Sequence, residues 1–188
     1  VRLVPLDAQG GISPQVLLVA SDVTEQRAAE QARLQAAISQ REALVREVHH
    51  RIKNNLQGVA GLLQQNASRH PEVASMLTEA VGQVQAIAQV YGLQVGPAGP
   101  LRVIRVLEAI AASVQRTFGR AIEVSAPEAV GRQLLPEAES IPIALTINEL
   151  LTNAIKHSTP GDITCRLHCT DAEVSFRIDS PGTLREGF

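Results

Sequence analysis

Leu34, Ile38, Val45, Val48, Ile52, Leu56, Val59 and Leu63 recur at steps of three, four or seven residues, the spacing of a helical bundle seam. Asp22-Val23-Thr24-Glu25 ahead of them fits a capping box, and no Pro or Gly interrupts the chain from there to Gly58. A helix over residues 21–68 is therefore expected. Arg69-His70-Pro71 breaks the rhythm, which resumes at Val73, Leu77, Ala80, Val84, Ile87 and Tyr91. Proline suits the first turn of this second helix. Two helices joined by so short a turn run antiparallel, which sets Val90 and Tyr91 near the level of His50. A lone hairpin leaves a long apolar seam uncovered. Pairing two hairpins into a four-helix bundle buries it, so a homodimer is expected.

The flanking segments alternate differently. Residues 1–6 and 16–20 read as two strands around a turn. Gly92 to Pro100 is rich in Gly and Pro and marks a domain boundary. Beyond it the pattern predicts a helix over 101–118 with Leu107, Ile110, Ala111 and Val114 inward. Short strands at 121–125 and 134–135 and a helix over 137–158 follow, then a strand hairpin over 162–170 and 172–179 turning at Asp171. The order is that of an α+β segment.

Candidate chemistry sits at two places. The first is His49-His50-Arg51-Ile52-Lys53-Asn54-Asn55 on the long helix. With Ile52 at the centre of the buried stripe, His50 lies about 160° away and His49 only about 60° away. Glu47 and Asn54 flank His50 on the outer face. An exposed imidazole with an ordinary pKa of about 6.5 is largely uncharged at neutral pH and can act as a nucleophile. The second place is the helix around Asn148. With Ile147 as centre, Ile143, Ala144, Leu150, Leu151 and Ala154 form the buried stripe, and Glu149, Asn153, Lys156 and His157 fall on the other side. A carboxylate, an amide, an ammonium and an imidazole together suit a magnesium triphosphate, since hard oxygen donors hold Mg²⁺ and cations stabilise phosphoryl oxygens.

Both clusters carry a resemblance. The run HHRIKNN followed by Leu56-Gln57 resembles the phosphoacceptor motif of bacterial sensor histidine kinases of the HWE-related class. That resemblance implies that His50, directly before Arg51, accepts the phosphoryl group; Arg51 supports it from the motif, and helical spacing offers Glu47 or Asn54 to orient the ring's other nitrogen. Arg51 stands where the commoner kinase pattern has an acidic residue. NELLTNAIKHS, residues 148–158, resembles the N box of the GHKL-type ATP-binding domain. By that resemblance Asn153 coordinates magnesium, Glu149 orients or deprotonates, and Lys156 and His157 approach phosphate. Asp179 matches the adenine-binding Asp of a D-x-G-x-G box. The stretch Asp179-Ser180-Pro181-Gly182-Thr183 departs from that box in its glycine spacing, and Pro181 removes an amide donor. The second strand and Asp22-Val23-Thr24 resemble the exit of a PAS sensor domain.

The resemblance implies a fold: α+β, with a long signalling helix and an antiparallel hairpin in a dimeric four-helix bundle, then a partial GHKL-type α/β sandwich. It also implies an organisation, with PAS-like strands at 1–21, a signalling helix at 22–40, a dimerisation and phosphotransfer hairpin at 41–95, and an ATP-binding domain at 101–188. The remaining boxes and lid of that domain are expected after Phe188. ATP and Mg²⁺ are the implied cofactors. The implied partners are a second copy, a response-regulator receiver domain and an upstream sensor domain in the same chain. A rival reading is a non-catalytic dimeric scaffold or pseudokinase of the same architecture. A third, a GHKL ATPase outside signalling, leaves HHRIKNN without a purpose.

Composition narrows the classes further. A net charge of −2 over 188 residues gives no basic footprint for nucleic acid. Aromatic residues make up 2% against 45% hydrophobic, which suits helices packed by aliphatic seams. No apolar run approaches the ~20 residues of a membrane span, and no signal-peptide pattern opens the chain, so a cytoplasmic segment without membrane contact is expected. Ile163, Cys165, Leu167 and Cys169 alternate as on the inner face of a strand. That places the two cysteines about 13 Å apart, too far for a disulfide or a shared ion. They read as core residues of a reducing compartment.

Overall fold

A computed structural model describes residues 2–6, 15–19, 22–94, 101–127, 133–170 and 173–182. The expected turn at Asp171, most of the Gly/Pro-rich boundary and the side chain of Cys169 lie outside the described residues. The chain is mixed α and β, mostly helical, and divides into two compact units, Val1–Leu44 and Val45–Phe188.

In the first unit, strands β1 (Arg2–Leu6) and β2 (Gln15–Val19) pair antiparallel, with Val4 opposite Leu17. Helix α1 (Thr24–Arg69) runs for 46 residues and crosses into the second unit. Asp22 Oδ1 accepts the Thr24 backbone N–H at 2.9 Å, satisfying one of the amides a helix start leaves free. That bonding holds the Asp22 carboxyl below its ordinary range. The seam of α1 is uncovered in the single chain. Ala60 is its one buried residue, while Val48 and Leu62 are 52% and 62% exposed.

Pro71–Val73 forms one 3₁₀ turn, and α2 (Ala74–Gln94) follows. Its buried residues are Val81, Ala86, Ala88 and Val90. The positions of the expected rhythm, Leu77, Ala80, Val84, Ile87 and Tyr91, are only half-buried. The difference has a physical reason: α2 is apolar on more than one side, and Ala86 and Val90 join the core built with α3 (Val103–Phe118) and α4 (Glu137–His157).

Helix α3 buries Val106, Leu107, Ile110, Ala111 and Val114 and ends at Gly119, whose φ of 66° is left-handed. Strand β3 (Ile122–Ser125) pairs parallel with β4 (Ile163–Cys169), and β4 pairs antiparallel with β5 (Val174–Asp179). Helix α4 bridges the two parallel strands, as a parallel pair requires. Ile163, Cys165 and Leu167 point into one core with Ala144, Ile147 and Leu151 of α4, and with Ala86 and Val90 of α2. Hence residues from both sides of the Gly/Pro-rich boundary share a single apolar core. The expected strand at 134–135 is instead one bridge, Arg102 to Leu134, reinforced by Leu135 N–H to the Leu101 carbonyl at 2.7 Å. Among the described residues no helix is long and apolar enough to cross a membrane.

Candidate functional site

The histidine pair on α1 is split by the helix. His50 is exposed, and its Nδ1 lies 3.3 Å from Asn54 Nδ2 one turn on. Glu47 turns elsewhere: its Oε1 accepts from Arg51 Nε at 2.7 Å. His49 is half-buried and packs edge-on against Tyr91 of α2, ring centroids 5.4 Å apart at 62°. Its Nδ1 is buried without a hydrogen-bond partner among the described residues. The contact sets Tyr91 of α2 at the level of the motif.

On α4 the buried stripe is rotated from the one the sequence suggests. Asn148 and Thr152 join Ala144, Ile147 and Leu151 inside, while Leu150 is 43% exposed. The cause lies on α2, where Gly82 has no side chain. A Cβ there would stand 3.2 Å from Asn148 Nδ2, so the glycine lets α4 approach with Asn148 at the contact.

The polar side of α4 is held together locally. Asn153 Nδ2 donates to Glu149 Oε1 at 3.3 Å. Lys156 forms an ion pair with Glu79 of α2. Glu149 and Lys156, with Asn148, Thr152, Glu79 and Gly82, line a cavity of about 170 Å³ between α2, α3 and α4. Asn153, His157 and Asp179 are not among its lining residues. His157 is exposed at the last residue of α4. Asp179, at the end of β5, accepts from Arg177 Nε at 2.8 Å. The fold thus brings Glu149, Asn153 and Lys156 together and keeps Asp179 on the neighbouring sheet. No hydrogen bond or ion pair among the described residues joins His50 to this group.

Two residues escaped the sequence reading. Glu79 carries no motif, and only the fold brings it to Lys156. Arg120, directly after Gly119, secures the end of α4: Nη1 donates to the Ile155 carbonyl at 3.2 Å and to Ser158 Oγ at 2.7 Å, and Nε to the Gly161 carbonyl at 2.7 Å. Its Nη2 bonds the Thr159 carbonyl. A cation on the open carbonyls of a helix end is favourable. The loop so held also meets Pro181, whose carbonyl accepts the Thr159 N–H at 3.0 Å and whose ring fills the space beside Gly161. Among the described residues no cluster of three or more His, Cys, Asp or Glu side chains could hold a metal.

Residues 47–118 match the histidine kinase family model. That stretch contains His50 and Tyr91 and stops at the end of α3. The chain is also 31% identical over 160 residues to sensor histidine kinase PdtaS of Mycolicibacterium smegmatis, covering 84% of this chain and 31% of that protein. To the protein of the same name from Mycobacterium tuberculosis it is 30% identical over an aligned length of 198 positions, covering 100% of this chain and 38% of that protein. The chain spans about a third of the length of these curated relatives. Together the matches support a histidine kinase role in signal transduction.

Proposed function

We propose that this chain is the core of a sensor histidine kinase that transfers the γ-phosphoryl group of ATP to His50 and then to an aspartate of a response-regulator receiver domain. The observation that carries the reading is the exposed His50 ring with Asn54 on its Nδ1, inside the stretch that matches the histidine kinase family.

The amide nitrogen and oxygen of Asn54 can exchange places within one shape. With the oxygen toward the ring, Nδ1 keeps its proton as donor and Nε2 carries the lone pair. Nε2 then attacks the γ-phosphorus, an N–P bond forms, and the bond from phosphorus to the bridging oxygen breaks with ADP leaving. Arg51 is neutralised by Glu47, which keeps that carboxylate from competing for the ring.

The polar side of α4 fits a magnesium nucleotide in the character of its donors. Because Asn153 gives its amide N–H to Glu149, its carbonyl oxygen is left for a hard cation, and one carboxylate oxygen of Glu149 stays open. In this reading Asn153 would hold Mg²⁺, Glu149 would orient or deprotonate, Lys156 and His157 would meet phosphate oxygens, and Asp179 would accept from the adenine amino group. Bound there, the ion would offset the triphosphate charge. The uncovered row on α1 that includes Val45, Val48, Val59 and Leu62 supports a second copy of the chain as its cover.

The test uses the full-length protein and γ-labelled ATP. His50→Gln is expected to remove acid-labile, base-stable label while His49→Gln keeps it. Undiminished labelling of the His50 variant overturns the assignment. Absence of any Mg-dependent ATP affinity in the parent protein replaces it with the non-catalytic scaffold.

A further inference from the structure

We propose that Lys53 is a further catalytic residue, its ammonium pairing with the oxygens of the phosphoryl group as that group arrives at His50. The assignment deepens the kinase reading above and rests on it.

Lys53 follows His50 by three residues, so the two side chains are surface neighbours with Cβ atoms about 5–6 Å apart. By helical rotation Lys53 lies about 60° from His50 and about 40° from His49. It therefore stands between the exposed ring and the ring that packs on Tyr91, on the side where α2 approaches. What meets it there is Gly92. A Cβ at Gly92 would stand 3.2 Å from Lys53 Cδ, 3.4 Å from Cε and 3.5 Å from Nζ. The missing side chain is the space the lysine stem occupies. The end of the stem lies beside Gly92, and the residue is half-buried.

Charge separates the motif's two cations. The Arg51 guanidinium already has Glu47 at 2.7 Å. Lys53 has no acidic partner among the described residues. A cation without a counter-charge, restrained by packing and one turn from the nucleophile, is preorganised for an anion that comes to that nucleophile. The ammonium offers three donors from a compact charge, which suits oxygens spread around phosphorus. It takes no proton and gives none. Its part is to meet the non-bridging oxygens while the N–P bond forms and the bond to ADP breaks.

A purely structural lysine would need only its stem, lying over Gly92 with the charge in water. The two roles separate on substitution. Lys53→Met keeps the stem and removes the charge, and Lys53→Arg keeps the charge. In the full-length protein at saturating Mg·ATP, Lys53→Met should slow single-turnover labelling by at least about tenfold. Its ATP affinity and thermal midpoint should stay those of the parent, and Lys53→Arg should recover most of the rate. Gly92→Ala, which must push the stem by a few tenths of an ångström, should fall between. Labelling of Lys53→Met at the parental rate overturns the proposal, and so does a loss confined to ATP affinity. If Lys53→Met fails to fold, an unchanged rate in Gly92→Ala overturns it instead. The parent and His50→Gln controls report separately on the underlying reading: without label in the parent, the kinase assignment falls and this one with it.

Discussion

Glu79 on α2 and Lys156 on α4 stand 77 residues apart in sequence and form an ion pair in the fold. In the proposed function Lys156 meets phosphate, so its ammonium is shared between a protein carboxylate and the nucleotide. The side chains are 50% and 32% exposed, and pairs this open are worth at most about 1 kcal/mol. Glu79→Gln should therefore tighten Mg·ATP binding, by no more than about fivefold. Calorimetric titration of the full-length protein checks this, and the gain should vanish in a Lys156→Met background.

Asn54 Nδ2 lies 3.3 Å from Nδ1 of the His50 ring. Asn54→Ala leaves the ring free to adopt either tautomer. Labelling from γ-labelled ATP should slow by about tenfold or more, as expected when a catalytic imidazole loses the hydrogen bond that sets its tautomer, with ATP affinity unchanged. Glu47→Gln should have a smaller effect, because that carboxylate engages Arg51.

Two glycines of the hairpin should respond oppositely. At Gly58 of α1 a Cβ would meet nothing within 4 Å, so Gly58→Ala should stabilise by about 0.5–1 kcal/mol through helix propensity alone. At Gly82 the first added carbon already stands 3.2 Å from Asn148 Nδ2. Gly82→Val should cost about 1–3 kcal/mol by overpacking. Urea denaturation of both variants gives the comparison.

Cys165 is buried on β4, and desolvation pushes its thiol up from 9.0 to about 11. The folded state resists ionising it, whereas the unfolded chain does not. Its contribution to stability is complete below about pH 9 and is lost as pH rises toward 11. Thiol-labelling rates at pH 8 should follow unfolding, and Cys165→Ala should flatten the alkaline limb of the stability curve.

Periodicity is local, and what it encodes could be read from the chain. The heptad-spaced run predicts a helix over 21–68 where α1 spans Thr24 to Arg69, Leu107 to Val114 mark the inner face of α3, and the alternation through Cys165 marks β4. Helical rotation likewise separates the exposed His50 from the half-buried His49. Long-range features were not legible. The second buried face of α2, the burial of Asn148 against Gly82, the partner of Lys156 and the grip of Arg120 on α4 all depend on which helix arrives opposite. Leu150 shows the same limit, since an apolar residue near the stripe stays outside when the stripe turns toward its partner.

Helix α2 belongs to two interfaces at once. Tyr91 bears on the histidine motif, and Glu79 with Gly82 bears on α4. Twelve residues of one continuous helix separate Tyr91 from Glu79, about 18 Å along the axis at the usual rise. A roll of that helix large enough to lift Tyr91 off His49 also sweeps Gly82 from beneath Asn148. The level of the histidine pair and the helix that carries Asn153 are geared to the same shaft, so a movement of one is felt at the other.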